Sequence, residues 1–254
     1  MRVIAVLDLM NGEVVHGKAG RRETYRPIQS ALCEGAEPIA IAKALRKEFG
    51  ISELYVADLN AIAGAPPARE LFIALAEDGF SLTVDAGLRH VHDLRRWGAE
   101  EIGTIVAGLE TLDGPGVLAD LLLQVNPSRL LFSLDMKEGV PLGNRVAWEH
   151  GSAEAIVDMA VRRGVERMLL LDLARVGMGQ GLGTEGLARI VRERYPKTEL
   201  TLGGGIRQPA DLAMLPSIGV DAVLVATLLH RGCMSGEDLR SILDALHVPN
   251  AEHP

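Results

Sequence analysis

The sequence predicts an α/β protein folded as a single (β/α)8 TIM barrel made of two duplicated half-barrels. Three observations carry that expectation: eight short apolar runs separated by longer helical patterns, a length of 254 residues, and a second half that repeats the first. The runs are residues 3–7, 53–57, 82–84, 104–107, 130–134, 168–171, 200–202 and 222–225. Each is apolar without strict alternation, as a strand buried on both faces requires. Intervening segments such as residues 39–49, 153–163 and 184–194 place their apolar residues at helical spacing. Strand then helix, eight times over, closes into a parallel barrel.

The repeat is visible residue by residue. Leu82-Thr83-Val84-Asp85-Ala86-Gly87-Leu88-Arg89 matches Leu200-Thr201-Leu202-Gly203-Gly204-Gly205-Ile206-Arg207, and Asp93-Leu94 then matches Asp211-Leu212. Val6-Leu7-Asp8 matches Ser133-Leu134-Asp135, and Val56-Ala57-Asp58-Leu59 matches Leu170-Leu171-Asp172-Leu173. Half a barrel wall cannot bury its own core. The halves, about residues 1–127 and 128–248, are therefore expected to form one domain joined near Asn126-Pro127-Ser128, with a polar tail at residues 249–254.

Composition narrows the function classes. A net charge of −8 with no Lys/Arg cluster speaks against a nucleic-acid surface. No apolar run approaches the roughly 18 residues that span a bilayer. The N-terminus enters a strand-like run with one positive residue before it and no small-residue cleavage site after it, so no signal peptide is expected. Cys33 and Cys233 lie far apart in sequence, which fits a reducing compartment, the cytoplasm, and neither a disulfide framework nor a thiol nucleophile. No Cys, His or acidic spacing suggests a metal site, and no cofactor is expected. The expected partner is a phosphorylated small molecule, bound by a monomer or small homo-oligomer.

Active sites of this fold lie at the carboxyl ends of the strands, where Asp8, Asp58, Asp135 and Asp172 stand. Asp8 and Asp135 are related by the repeat and are expected to face each other across the barrel mouth, able to divide acid and base roles. Asp58 and Asp172 read as supporting groups that fix loops. Gly203-Gly204-Gly205 after the seventh strand and Ala226-Thr227 after the eighth are expected to hold a phosphate on backbone N–H groups. Asp85 occupies the position of Gly203 in the first half and repels a second phosphate there. It suits a hydroxyl or a cationic group, unless Arg89 neutralises it and the pair is structural. His16, just beyond Asp8, is a candidate for substrate contact or proton transfer and reads equally as a surface-loop histidine. Gly177-Met178-Gly179-Gln180-Gly181 reads as a mobile lid or as a plain flexible connection.

The chain resembles the HisA/HisF family of histidine biosynthesis. The resemblance rests on Leu7-Asp8-Leu9 with Asn11-Gly12-Glu13-Val14-Val15, Val56-Ala57-Asp58-Leu59, Ser133-Leu134-Asp135, Gly203-Gly204-Gly205-Ile206-Arg207 and residues 219–229. HisA members isomerise a phosphoribosyl aminoaldose to an aminoketose by Amadori rearrangement. The resemblance implies Asp8 as the base at the sugar's second carbon, Asp135 as the opposed carboxylate, and the 203–205 and 226–227 loops on a phosphate.

Two departures qualify that implication. Val176 and Met178 stand in the loop where the family has an Asp-Gly-Thr sequence whose Asp is a candidate general acid, and Asp85-Ala86-Gly87 replaces a glycine-rich phosphate loop. His16-Gly17 takes the place of a Lys-Gly usual in HisF. Beside a HisA-like isomerase, two further readings follow: an enzyme of another, cofactor-building pathway acting on a monophosphorylated substrate, and a non-catalytic barrel subunit of the kind that pairs with a glutaminase. Retention of both opposed aspartates speaks against the last.

Overall fold

The computed structural model describes residues 1–97, 102–144, 146–149 and 151–247. The tail expected at residues 249–254 lies outside the described residues. From the start of the chain, β1 (Arg2–Met10) turns back through a short antiparallel β2 (Glu13–Val15) and leads by α1 (Pro38–Phe49) to β3 (Glu53–Asp58). There follow α2 (Leu59–Ile62), α3 (Arg69–Glu77), β4 (Ser81–Asp85), α4 (Asp93–Trp97), β5 (Thr104–Gly108) and α5 (Pro115–Gln124). The remainder runs β6 (Leu130–Lys137), β7 (Val140–Pro141), α6 (Ala153–Arg162), β8 (Arg167–Asp172), α7 (Glu185–Arg194) and β9 (Glu199–Gly203). It ends with α8 (Pro209–Met214), β10 (Ala222–Val225), α9 (Thr227–His230) and α10 (Gly236–His247).

Eight of the strands pair in parallel in the order β1, β3, β4, β5, β6, β8, β9, β10, and β10 pairs back to β1 from Arg2↔Ala222 to Ala5↔Val225. The result is a closed (β/α)8 barrel, and each of the eight apolar runs lies within one of its strands. β2 and β7 are hairpin returns on β1 and β6, with Asp8 opposite Val15 and Met136 opposite Pro141. Among the described residues no helix is long and apolar enough to cross a membrane.

Successive side chains of a strand point to opposite faces, and this alternation splits the core in two. Ala5, Leu7, Leu54, Val56, Leu82, Val84, Leu134, Leu170 and Leu202 face outward into the large shell packed under the helices. Ile4, Tyr55, Ala57, Val106, Leu131, Leu169, Ala222 and Leu224 face inward and fill the barrel. Helix ends are fixed locally. Pro38 opens α1, the Glu37 carboxylate accepts from the Ile39 and Ala40 N–H groups, and Gly50 closes it with φ +70°. At the amino-terminal end of the barrel, Arg2 pairs with Glu53 and Glu199, and Arg167 with Glu199 at 3.0 Å, tying β1 to its neighbour β3 and, past β10, to β9 and β8.

Alternation also sorts the strand-end aspartates. Asp58 and Asp172 fall on the outward register and serve the loops. Asp58 caps α2 by accepting from Ala61 N at 3.0 Å and also accepts from Ala68 N at 2.8 Å. Asp172 accepts from Glu138 N, Gly139 N and Ala174 N at 2.9–3.0 Å. An Asp172→Ala change removes a buried carboxylate that three half-buried backbone donors share. It is expected to lower stability by about 3 kcal/mol, a drop in Tm on the order of 10 °C, read by thermal denaturation. A shift under about 2 °C would show that these bonds carry little.

Candidate active site

The inward register delivers three carboxylates to one cavity at the carboxyl end of the barrel. Asp8 continues the inward face of Ile4 and Val6, Asp85 that of Thr83, and Asp135 that of Leu131 and Ser133, and all three line the cavity. Tyr55 lies at its floor, while His16, Gly204, Gly205, Ala226 and Thr227 line its other side. Asp8 and Asp135 are thus brought into one space, with Asp85 beside them.

Burial dominates their electrostatics. It raises Asp8 to about 7, against the lowering influence of Arg22 and with a further rise from Asp85. Asp135 is raised to about 7 by burial and then by Asp85, while a 2.7 Å hydrogen bond donated by Ser133 Oγ opposes the shift. Asp85 is raised to about 6 by burial, offset chiefly by the Gly87 N–H it accepts at 3.1 Å. The Tyr55 hydroxyl, 3.4 Å from Asp85 Oδ2, is held well above its ordinary range by burial and the three aspartates. Carboxyl groups poised near neutrality can both give and take protons.

The cavity is roofed by two segments. Arg22, on a one-turn 3-10 helix (Arg22–Thr24), reaches Glu110 beyond β5 and contacts both its carboxylate oxygens, at 3.0 and 3.1 Å. The loop after β8 folds over the other side, with Ala19 N donating to Val176 O and Gly181 N to Gly205 O. Its glycines permit very close backbone approach: a Cβ on Gly177 would stand 2.0 Å from Gly17 O. The segment read as a lid or a connection is thus laid across the mouth and anchored at both ends. Val176 lines the cavity, so the position where the family pattern has a candidate acid presents an isopropyl group.

Gly17 lies directly against the Asp8 carboxylate. A Cβ there would stand 2.5 Å from Asp8 Oδ2, so only the bare α-carbon lets this loop lie against the carboxylate. His16 Nε2 lies 3.2 Å from Thr227 Oγ1, within hydrogen-bond reach, and burial, then Arg231 and Lys18, lower its pKa. A neutral imidazole bonded to Thr227 belongs to the anion side of the cavity and not to Asp8.

Two expected binding residues lie elsewhere. Gly203 is on the inward register but below the cavity, where a Cβ would press on Leu171, Leu224 and Leu169 at 3.0–3.4 Å. It packs the barrel interior, and the cavity wall begins at Gly204. Arg89 neither lines the cavity nor bonds Asp85. Its guanidinium donates to Gly87 O at 2.8 Å and Ile62 O at 2.7 Å, tying the loop after β4 to α2.

This chain matches the histidine biosynthesis protein family over residues 2–235. The chain belongs to that family. Among its relatives are an uncharacterized protein of Methanocaldococcus jannaschii, 31% identical over 242 residues, covering 94% of this chain and 97% of the relative. Another, from Thermus thermophilus, is 30% identical over 241 residues, covering 91% and 95%, and bears the name 1-(5-phosphoribosyl)-5-((5-phosphoribosylamino)methylideneamino) imidazole-4-carboxamide isomerase. A protein of that same name from Legionella pneumophila is 25% identical over 245 residues, covering 94% and 99%.

For this histidine biosynthesis family member, sequence reasoning missed Tyr55, Glu110, Arg22, Tyr25 and Arg231 at the cavity. Tyr55 was available from strand alternation, two residues before Ala57 on the inward face. Glu110 follows the β5 end just as Thr227 follows β10. Arg22 and Tyr25 come from an irregular segment with no period to read.

Proposed function

We propose that this protein is a phosphate-anchored aldose–ketose isomerase of the Amadori type. The observation that carries the reading is the convergence of Asp8 and Asp135, each raised to about 7, in one cavity whose far side is lined by Gly204, Gly205, Ala226 and Thr227. Glycine backbone, the Thr227 hydroxyl and the short α9 after β10 match the usual phosphate cradle of this fold. Arg231, directly after α9, adds a positive charge at that end.

With phosphate held there, the protonated Asp135 gives its proton to the sugar ring oxygen as the ring opens to a Schiff base. The ionised Asp8 takes the proton from the second carbon to form an enaminol. Proton return to the first carbon yields the aminoketose. Val176 offers no proton, so Asp135 is the acid in this scheme. The isomerase names of the relatives support this reaction class.

A second reading concerns the substrate. The relatives' printed name contains two phosphoribosyl groups. In this chain the opposite end of the cavity carries Asp85 and Glu110, and Arg89 is spent on carbonyl groups. Those observations favour a substrate with one phosphate, from another pathway of the same family. Expression in a histidine auxotroph lacking the isomerase separates the two. Growth rescue that is lost in Asp8→Asn supports the two-phosphate substrate. No rescue by soluble protein that nevertheless binds inorganic phosphate supports the single-phosphate one. Failure to bind phosphate at millimolar concentration would sink both.

A further inference from the structure

A groove lies beside the cavity, between residues 26–31 and α9. Arg26, Ser30 and His230 line the groove and not the cavity, whereas His16, Thr227 and Arg231 line both. The 3.2 Å contact between His16 Nε2 and Thr227 Oγ1 therefore belongs to their shared wall. In a chain of net charge −8, no acidic residue among those described lines the groove. Arg231 forms no ion pair among the described residues. Arg26 donates through Nη1 alone, to Tyr25 O at 2.7 Å and Glu23 O at 3.3 Å, which leaves its Nε and Nη2 donors unused.

His230 supplies an independent sign of a ligand. It ends α9, three residues after Thr227 and so on the same helix face, and is 3% exposed. Ser30 Oγ accepts from Leu32 N at 3.1 Å, so its own proton goes to His230 Nδ1, 3.0 Å away. Burial, and after it His16, lower the pKa of His230 to about 4, and the ring is neutral. A neutral imidazole that accepts at Nδ1 carries its proton on Nε2. That N–H is buried and has no partner. Buried donors are ordinarily paired, and an unpaired one beside two guanidinium groups with unused donors marks a place for acceptor oxygens. Phosphoryl oxygens suit it, because the planar Arg fork binds them in pairs and no carboxylate of the groove repels them.

We propose that this groove is a second phosphoryl site, set back to back with the Gly204 and Thr227 end of the cavity. Its ligand is a phosphoryl group, carried as free phosphate or as the outer group of a diphosphate. One phosphate in the cavity is served by glycine backbone, Thr227 and Arg231. Arg26 and the His230 N–H exceed that need and line the groove beyond the His16–Thr227 contact. The inference goes beyond the cavity's phosphate reading and stands without it, because Arg26, Ser30 and His230 take no part in the cavity.

The test titrates the whole protein with inorganic phosphate and with pyrophosphate by calorimetry at pH 7.5, in wild type and in Arg26→Gln, a change at an exposed position. Two phosphate ions bound per chain assign the groove to free phosphate. One pyrophosphate bound about tenfold or more tighter than phosphate assigns it to a diphosphate. Arg26→Gln is expected to remove the second phosphate event, or to bring pyrophosphate within about twofold of phosphate, while the remaining event keeps its affinity. Nitrogen NMR of the histidine rings, assigned with His230→Gln, is expected to show the Nε2 resonance of His230 moving with the same titration. A single phosphate event that survives Arg26→Gln, with pyrophosphate no tighter, would overturn the groove and leave the cavity's phosphate reading standing. A single event that vanishes in Arg26→Gln keeps the groove and removes the cavity reading. A pyrophosphate gain that persists in Arg26→Gln, or no binding of either ion at millimolar concentration, also overturns the groove.

Discussion

Gly17→Ala is expected to cut kcat/KM by roughly a hundredfold while leaving the barrel folded. The added methyl would stand 2.5 Å from Asp8 Oδ2 and 3.2 Å from Val176 Cγ1, so either the carboxylate turns away or the loop after β8 lifts. Gly17 is not among the positive-φ residues, and alanine meets no backbone strain there. The damage is therefore confined to the mouth of the cavity. Steady-state rates on the true substrate, with a melting curve as control, measure it. A variant with wild-type turnover would show that Asp8 works in a position the loop does not touch.

Asp8→Asn combines a loss with a gain. If Asp8 is the base of the proposed scheme, its removal lowers kcat by about 10² to 10⁴. The same change should raise stability in alkaline solution. Asp8 titrates near 7 when folded, above its ordinary value of 3.8, so between those pH values the native state holds a proton the unfolded chain has lost. Unfolding free energy therefore falls as pH rises through that window, and the full penalty is present above pH 7. At about 1.4 kcal/mol per unit, it amounts to a few kcal/mol. Asparagine carries no charge to bury. Asp8→Asn should melt on the order of 5 °C or more above wild type at pH 8, with the advantage vanishing near pH 4. Asp135→Asn should behave alike, because burial raises its pKa in the same direction. Scanning calorimetry at pH 4, 6 and 8 reads both. A variant that melts lower than wild type at pH 8 would contradict the burial penalty. The proposed scheme needs one carboxyl ionised and the other protonated, so it predicts activity that peaks near pH 7 and titrates as a property of the pair.

Much of this was legible in the residues themselves. The eight runs marked every barrel strand because continuous apolar sequence is forced on strands covered on both faces. Asp8 and Asp135 were legible as a pair because the repeat sets them at equal depth. The separate placing of Asp58 and Asp172 was also available in principle. Each lies one residue past an inward neighbour, Ala57 and Leu171, and so faces the other way. Gly203 is placed by the same alternation. A glycine triplet looks like a uniform loop, but its first member still belongs to β9 and points into the packed interior. Arg89 misled because closeness in sequence to Asp85 says nothing about where a long side chain ends. The Arg22–Glu110 contact spans an irregular loop and a strand end, and no local periodicity encodes it.

The seam between β1 and β10 has a temporal meaning. Asp8 emerges early from the ribosome, but the strand that closes the wall beside it, pairing Arg2 with Ala222, is made almost last. A nascent chain that lacks β10 has two open edges, with Asp8 beside one of them and short of the wall that helps to bury it. Contacts this distant along the chain form late and slowly. Asp8 is thus made well before the strand that closes the wall beside it, and a chain short of β10 carries the carboxylate without that wall.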